Sequence, residues 1–250
     1  KLHFYLAKHF HIKHADKIIA ISQSTKNDIL NICKIDPDKI HVIYPGCDLD
    51  LYKKIDNMEL IEKTKMKYGI KGRYIINTSS LSWYRKNLVR LIKAFSSIKK
   101  KYLLPHKLVI TGKKGESYQE LINLTEQLQL KNDIIFTDYI PTEKMPLLLN
   151  GADAMIFPSL YEGFGLPIIE AMACGCPVVT SNCSAMPEVT GDAGILIDPY
   201  SEEEIADAIY RVISDFNLKE TLQKKGLERA KQFSWESAAK KTLALFESMQ

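Results

Sequence analysis

Asp153-Ala-Met-Ile-Phe157-Pro-Ser-Leu-Tyr-Glu162-Gly163-Phe164-Gly165-Leu166-Pro167-Ile-Ile-Glu170 decides the architecture of this 250-residue chain. Its opening run, Asp153–Phe157, has the length and apolar character of a buried strand. Pro167 then falls in the first turn of a helix, where its missing N–H costs nothing. A strand passing through a glycine-bearing loop into a helix is one half of a β-α-β unit. Gly163 and Gly165 let the backbone approach a ligand closely, and unpaired amides at the helix start attract anions. Glu162 lies in the loop and Glu170 about one turn into the helix. A carboxylate accepts two hydrogen bonds at once, which suits it to paired sugar hydroxyls. The same residues also read as a plain corner with solvated acids, because Gly-Phe-Gly is not the GxGxxG fingerprint.

The same alternation extends in both directions. Lys17–Ser22, Ile40–Tyr44, Arg73–Ser79, Lys107–Thr111, Asp133–Phe136, Pro177–Thr180 and Gly194–Ile197 also read as strands. Between them lie helical stripes: Leu88, Leu91, Ile92, Phe95 and Ile98, then Ile205, Ala208, Ile209, Val212 and Ile213. Ser201 with Glu204 forms a capping box for the second. Strands alternating with helices predict an α/β fold with a Rossmann-like, doubly wound parallel sheet, and six strands between residues 73 and 197 fit one such unit. A last helix opens near Ser234-Trp235, with Trp235, Ala239, Thr242, Leu243 and Phe246 on one side. The polar stretch Asp48–Asn57, just after Pro45-Gly46, reads as a linker.

A second chemical patch, Ser79-Ser80-Leu-Ser-Trp83-Tyr84-Arg85-Lys86-Asn87, also bridges a strand and a helix. Arg85 and Lys86 stand at a strand's carboxyl end, where open α/β sheets bind ligands. Alone they read as solvated; beside a glycine corner they form a diphosphate clamp. The loops Gly112–Gly115 and Asp138–Pro141 line a nucleotide pocket or are simple turns.

Charge is unevenly spread. Residues 51–114 hold 17 basic and 3 acidic side chains, whereas residues 115–250 hold 10 and 21. The middle block attracts an anionic partner. Its lysine runs at 63–67, 99–101 and 113–114 lack interleaved aromatics and accompany no DNA-binding module, so nucleic acid is not expected. They read instead as a solvated face, one that also suits an anionic membrane. Five cysteines without a CxxC pair read as free thiols rather than a disulfide scaffold. His3, His9, His11 and His14 crowd the amino terminus without an acid or Cys to complete a ligand set, so no metal is expected. No run is long enough to span a membrane, and the chain opens on Lys1, so an upstream part is expected to be missing.

Glu162-Gly-Phe-Gly-Leu-Pro-Ile-Ile-Glu170, continued by Ala-Met-Ala-Cys-Gly-Cys-Pro-Val-Val, resembles the E-x7-E signature of retaining glycosyltransferases of family 4, which have the GT-B fold. Ala15–Ser22 resembles the last strand of that family's amino-terminal domain, and Val42–Asp48 its interdomain segment. Arg85-Lys86-Asn87-Leu88 resembles its diphosphate element. Met186-Pro187-Glu188-Val189 is similar to the stretch after the signature, and Phe233–Glu236 to the start of its closing helix. The resemblance implies one half of a GT-B architecture. Residues 1–50 would be the tail of the acceptor domain with its linker, 51–233 the nucleotide-sugar-binding domain, and 234–250 a helix packing back toward the amino-terminal domain.

Roles are implied by the same resemblance. Glu170 would hold the ribose and Glu162 the donor-sugar hydroxyls. The amides of Gly163, Phe164, Gly165 and Leu166 would meet sugar and diphosphate, and Arg85 and Lys86 would neutralise the leaving diphosphate. The segment at Tyr139 and Ile140 would hold the base. The substrate would be a nucleoside diphospho-sugar, GDP-mannose from the mannosyltransferase-like branch or a UDP-sugar, transferred without cofactor or metal to a glycan or lipid-linked acceptor. The setting implied is cytoplasmic, with peripheral contact at the inner membrane face. Two alternatives stand beside it: a binding module inactive without a separate amino-terminal half, and a sugar-nucleotide epimerase of the same fold. Two positions depart from the pattern: Trp83 and Tyr84 replace a common acidic residue and proline, and Ser79 and Ser80 stand where some members carry a base.

Overall fold

A computed structural model describes residues 11–79, 84–115 and 118–249. His3, His9, Ser80 and Trp83 lie outside the described residues. In chain order the elements are β1 (Ile18–Ala20), α1 (Gln23–Cys33), β2 (Ile40–Val42), α2 (Met58–Lys67), β3 (Tyr74–Thr78) and α3 (Leu88–Tyr102). They continue with β4 (Lys107–Thr111), α4 (Tyr118–Gln127), β5 (Ile134–Phe136), α5 (Met145–Gly151), β6 (Met155–Phe157) and α6 (Leu166–Ala173). The last are β7 (Val178–Ser181), α7 (Met186–Thr190), β8 (Gly194–Ile197), α8 (Glu202–Ser214), α9 (Phe216–Ala230) and α10 (Trp235–Glu247). Every strand read from the sequence is present, each trimmed or shifted by at most a few residues.

The central sheet is parallel, in the order β5-β4-β3-β6-β7-β8, and β1 pairs with β2 in a separate parallel pair. Strand alternation sorts side chains to its two faces. Tyr74, Ile76, Val109, Met155 and Phe157 enter one core, with Ile168, Ile169 and Met172 of α6. Ile75, Leu108, Ile110, Ala154 and Ile156 enter the other, with the α3 and α8 stripes. All ten residues of those two stripes are buried, as their 3.6-residue period requires. Ser201 Oγ accepts from Glu204 N at 3.1 Å, but the box does not close on itself: Glu204 Oε2 accepts from Asp198 N at 2.8 Å.

On α10 the inward residues are Ala238 and Leu245, packed with Ile43 at the end of β2. Trp235, Leu243 and Phe246, read as sharing one side of the helix, do so on its outward side, where each is more than half exposed. One sequence expectation needs correction: the lysine runs are not one solvated face. Lys65 is buried, bonded to Glu62 at 2.6 Å and over the Tyr74 ring. Lys99 bonds the carbonyls of Leu104 and His106 and pairs with Asp133 at 2.9 Å. Long apolar stems let such lysines lie against the core while their ends stay paired.

The Asp48–Asn57 stretch is irregular but strapped down. Asn150 of α5 accepts from Ile55 N at 2.8 Å and donates to Lys53 O at 2.9 Å, and Tyr52 is buried. Before it, Cys47 N donates to Phe233 O at 3.0 Å. A Cβ on Gly46 would stand 2.1 Å from the Trp235 backbone nitrogen, so only glycine lets the chain pass. Gly46→Ala should therefore cost about 2 kcal/mol by forcing the linker off α10. Denaturant midpoints check this, and an unchanged midpoint would contradict the close approach. At the other end of the sheet, Asp153 accepts a two-pronged bond from Arg73 at 3.0 and 3.1 Å, pairs with Lys219, and lies 3.2 Å from His106 Nε2.

Candidate functional site

The strand order reverses between β3 and β6, and loops leaving two such strands open a crevice at their carboxyl ends. After β3 comes a 3₁₀ turn, Tyr84–Lys86, and then Asn87 at the start of α3. After β6 comes the Pro158–Gly165 loop. The two patches separated in sequence meet there. Leu160 N donates to Arg85 O at 2.7 Å. Lys86 Nζ bonds Glu162 Oε1 at 2.6 Å, both side chains only 11% exposed, and the ammonium lies 5.0 Å from the Phe157 ring centroid. Neither charge would be tolerable at that depth without the other. Glu162 is thus not the solvated acid of the plain-corner reading. Arg85 is exposed.

Asn87 fastens this junction. It adopts φ 58°, a left-handed conformation Asn tolerates better than most residues, and is 5% exposed. Its Nδ2 donates to Pro158 O at 3.0 Å and Pro199 O at 2.6 Å, so three loops share one amide. The far side of the glycine loop is buttressed from β7 and beyond. Thr180 Oγ1 donates to Phe157 O at 2.8 Å and Ser181 Oγ to Ser159 O at 2.6 Å. Ser184 Oγ donates to Glu162 O at 2.6 Å and accepts from Glu162 N at 3.2 Å. No sequence motif marks these hydroxyls; only the fold brings them to the loop.

Gly165 has φ 109°, which lets α6 begin directly after the loop. Among the described residues no backbone acceptor closes on the amides of Gly163, Phe164, Gly165 or Leu166, and Pro167 has none to satisfy. Such amides, at the positive end of a helix, suit an anion. The Phe164 side chain turns inward, stacking on Tyr44 at 5.8 Å and meeting Phe233 edge-on at 5.6 Å, so only its backbone serves the loop mouth.

Glu170 has different neighbours. Burial pushes its carboxyl above the usual range, and a hydrogen bond from Tyr52 partly offsets this. Cys47 and Cys174 share its surroundings; burial pushes the Cys47 thiol up to about 12 and holds both unreactive. All five cysteines are free, and all but Cys183 are fully buried. The base-binding candidates also come together. Asp138 O accepts from Gly112 N at 3.0 Å and Asp138 Oδ1 from Tyr139 N at 2.8 Å, joining the loops after β4 and β5. Ile140 is buried in the core, and Tyr139 is 64% exposed above it. Among the described residues no group of three His, Cys, Asp or Glu side chains is placed to hold a metal ion, and no helix is long and apolar enough to cross a membrane.

Residues 61–229 match the family model described as Glycosyl transferases group 1, and residues 1–51 that of Glycosyltransferase Family 4. O-antigen chain mannosyltransferase B of Escherichia coli is 30% identical over 247 residues, 97% of this chain and 64% of that protein. The MMP alpha-(1->4)-mannosyltransferase of Mycolicibacterium hassiacum is 28% identical over 92% of this chain and 54% of its own. The chain thus spans less than two thirds of the length of these curated relatives. Anabaena HepE, solved with UDP and glucose, superposes with a TM-score of 0.87 at 24% identity, covering 99% of this chain and 67% of that one. The fold is therefore that of GT-B structures.

Proposed function

Because the chain belongs to the group 1 glycosyl transferases, we propose that it binds a nucleoside diphospho-sugar at the β3–β6 crevice, as the donor half of a retaining enzyme. The observation that carries this reading is the buried Lys86–Glu162 pair, which sets a cation and a carboxylate beside the four amides at the α6 start. In the reaction, the bond between sugar C1 and the diphosphate oxygen breaks while an acceptor hydroxyl attacks C1 from the same face and gives up its proton. Negative charge grows on the departing diphosphate. Arg85, Lys86 and the amides of Gly163–Leu166 stabilise that charge where it develops. Glu162 grips sugar hydroxyls, Glu170 the ribose, and the Tyr139–Ile140 segment the base.

The names of the relatives favour a mannose donor, GDP-mannose, while UDP-glucose bound to HepE keeps a UDP-sugar as the second choice. The acceptor is a glycan or a lipid-linked glycan, and no metal takes part. Residues 1–50 would belong with the acceptor part, 51–233 form the donor domain, and 234–250 the closing helix. A second reading is favoured by the share of its relatives that the chain spans: it binds donor but transfers sugar only when an amino-terminal acceptor part completes the cleft.

Calorimetry on the chain with GDP and GDP-mannose tests the roles. Glu170→Ala should weaken both ligands by about tenfold or more, the loss of charge-assisted hydrogen bonds. Glu162→Gln should weaken GDP-mannose more than GDP. Parent-like affinity in both variants would refute the assignments.

A further inference from the structure

Glu188, in the short helix α7, takes no part in the crevice described above, yet it reaches across the chain to α1. The first amides of a helix have no partner within it. Here Ser22 Oγ accepts from Thr25 N at 2.9 Å. The Glu188 carboxylate accepts the other two, Gln23 N at 2.9 Å and Ser24 N at 3.2 Å, from residues 165 and 164 positions away. A carboxylate on these amides also meets the positive end of the helix dipole. The Tyr44 hydroxyl donates to the same carboxylate at 3.3 Å. Arg229 holds α7 in place by donating to Val189 O at 3.0 Å.

The next side chains of α1 touch the glycine loop. Thr25 Oγ1 donates to Gly163 O at 3.1 Å, and Asp28 accepts from the Tyr161 hydroxyl at 2.7 Å. Both neighbours of Glu162 are thus tied to α1. The approach is close: Ile21 Cδ1 lies 3.2 Å from where a Cβ on Gly163 would stand. Residues 1–51 and 61–229 match separate family models, so these contacts join two parts of the sequence.

We propose that Glu188 is a positioning residue: by fixing the start of α1 it lets Thr25 and Asp28 hold the Tyr161–Gly163 loop in the shape that grips the donor sugar. This rests on the reading of that loop as the donor-sugar site. A carboxylate that merely capped α1 would steady α1 alone. A positioning carboxylate must also steady a loop it does not touch.

Hydrogen exchange on the full chain, without ligand, separates the two. Glu188→Ala should speed exchange about tenfold or more in α1 and, together with it, at residues 161–165. Glu188→Gln, which keeps one acceptor oxygen, should restore part of both. Thr25→Val leaves the Glu188 cap intact and should speed exchange in the loop but not along α1. In calorimetry, Glu188→Ala should lose several-fold more affinity for GDP-mannose than for GDP. Faster exchange confined to α1, with the loop unchanged in both variants, would overturn the proposal. A parent chain that binds no nucleotide would overturn the donor reading, while the exchange experiment would still decide whether α1 holds the loop.

Discussion

Lys86→Met should weaken nucleoside diphospho-sugar binding by about a hundredfold and destabilise the fold at the same time. The affinity loss is that of a charge-assisted contact to the diphosphate, together with the disturbance of Glu162. The stability loss has a separate origin. With Lys86 gone, Glu162 loses its partner in a pocket where only 11% of its side chain is exposed, and breaking such a pair costs about 3 kcal/mol or more. The methionine itself still fits over the Phe157 ring, so packing is not the cause. The double variant Lys86→Met/Glu162→Gln separates the effects. Removing both charges should return most of the stability and none of the affinity. Thermal unfolding and calorimetry on the three proteins check this, and full affinity in Lys86→Met would refute its role at the diphosphate.

Asp153→Asn should produce the largest loss away from the crevice. Burial alone would raise this carboxyl, but His106, Arg73 and Lys219 together hold it far below the usual carboxylate range. A depressed folded-state pKa contributes stability that is complete above the unfolded value of about 3.9 and is lost progressively as pH falls from there toward the depressed folded value. The parent should therefore lose stability steadily below about pH 5. The substituted amide cannot ionise and leaves Arg73 and Lys219 without their shared counter-charge. The variant should be about 3 kcal/mol less stable at pH 7 and show a shallower acid limb. Unfolding midpoints from pH 7 to 3 check both. Parallel curves for the two proteins would mean that Asp153 does not carry the acid dependence. Nucleotide affinity should barely change, since Asp153 lies at the opposite end of the sheet from the glycine loop.

The strands and the two inner helical stripes were legible because period alone marks them: Ile75 and Ile76 cannot help facing opposite cores. The meeting of Arg85-Lys86 with the glycine loop was legible as chemistry, since both come after strands of one parallel sheet. What escaped was everything set by contacts between distant loops. Trp235, Leu243 and Phe246 were legible as one side of α10, but only the proximity of Ile43 to Ala238 and Leu245 shows which side faces the rest of the described chain. Lys65 and Lys99 look like surface charge because a sequence does not show that Glu62 and Asp133 wait at the right distance. Asn87 was visible as part of a motif, but its two carbonyl partners, at Pro158 and Pro199, belong to loops far along the chain. Ser184 and Glu188 act through hydrogen bonds to distant segments, which leave no periodic trace.

The most direct measurement is a calorimetric titration of the unmodified chain with GDP, UDP and ADP. Saturable one-site binding is expected, tightest for GDP with UDP next, and it should be lost in Glu170→Ala. Failure of all three nucleotides to bind would contradict the assignment of the β3–β6 crevice as a donor site.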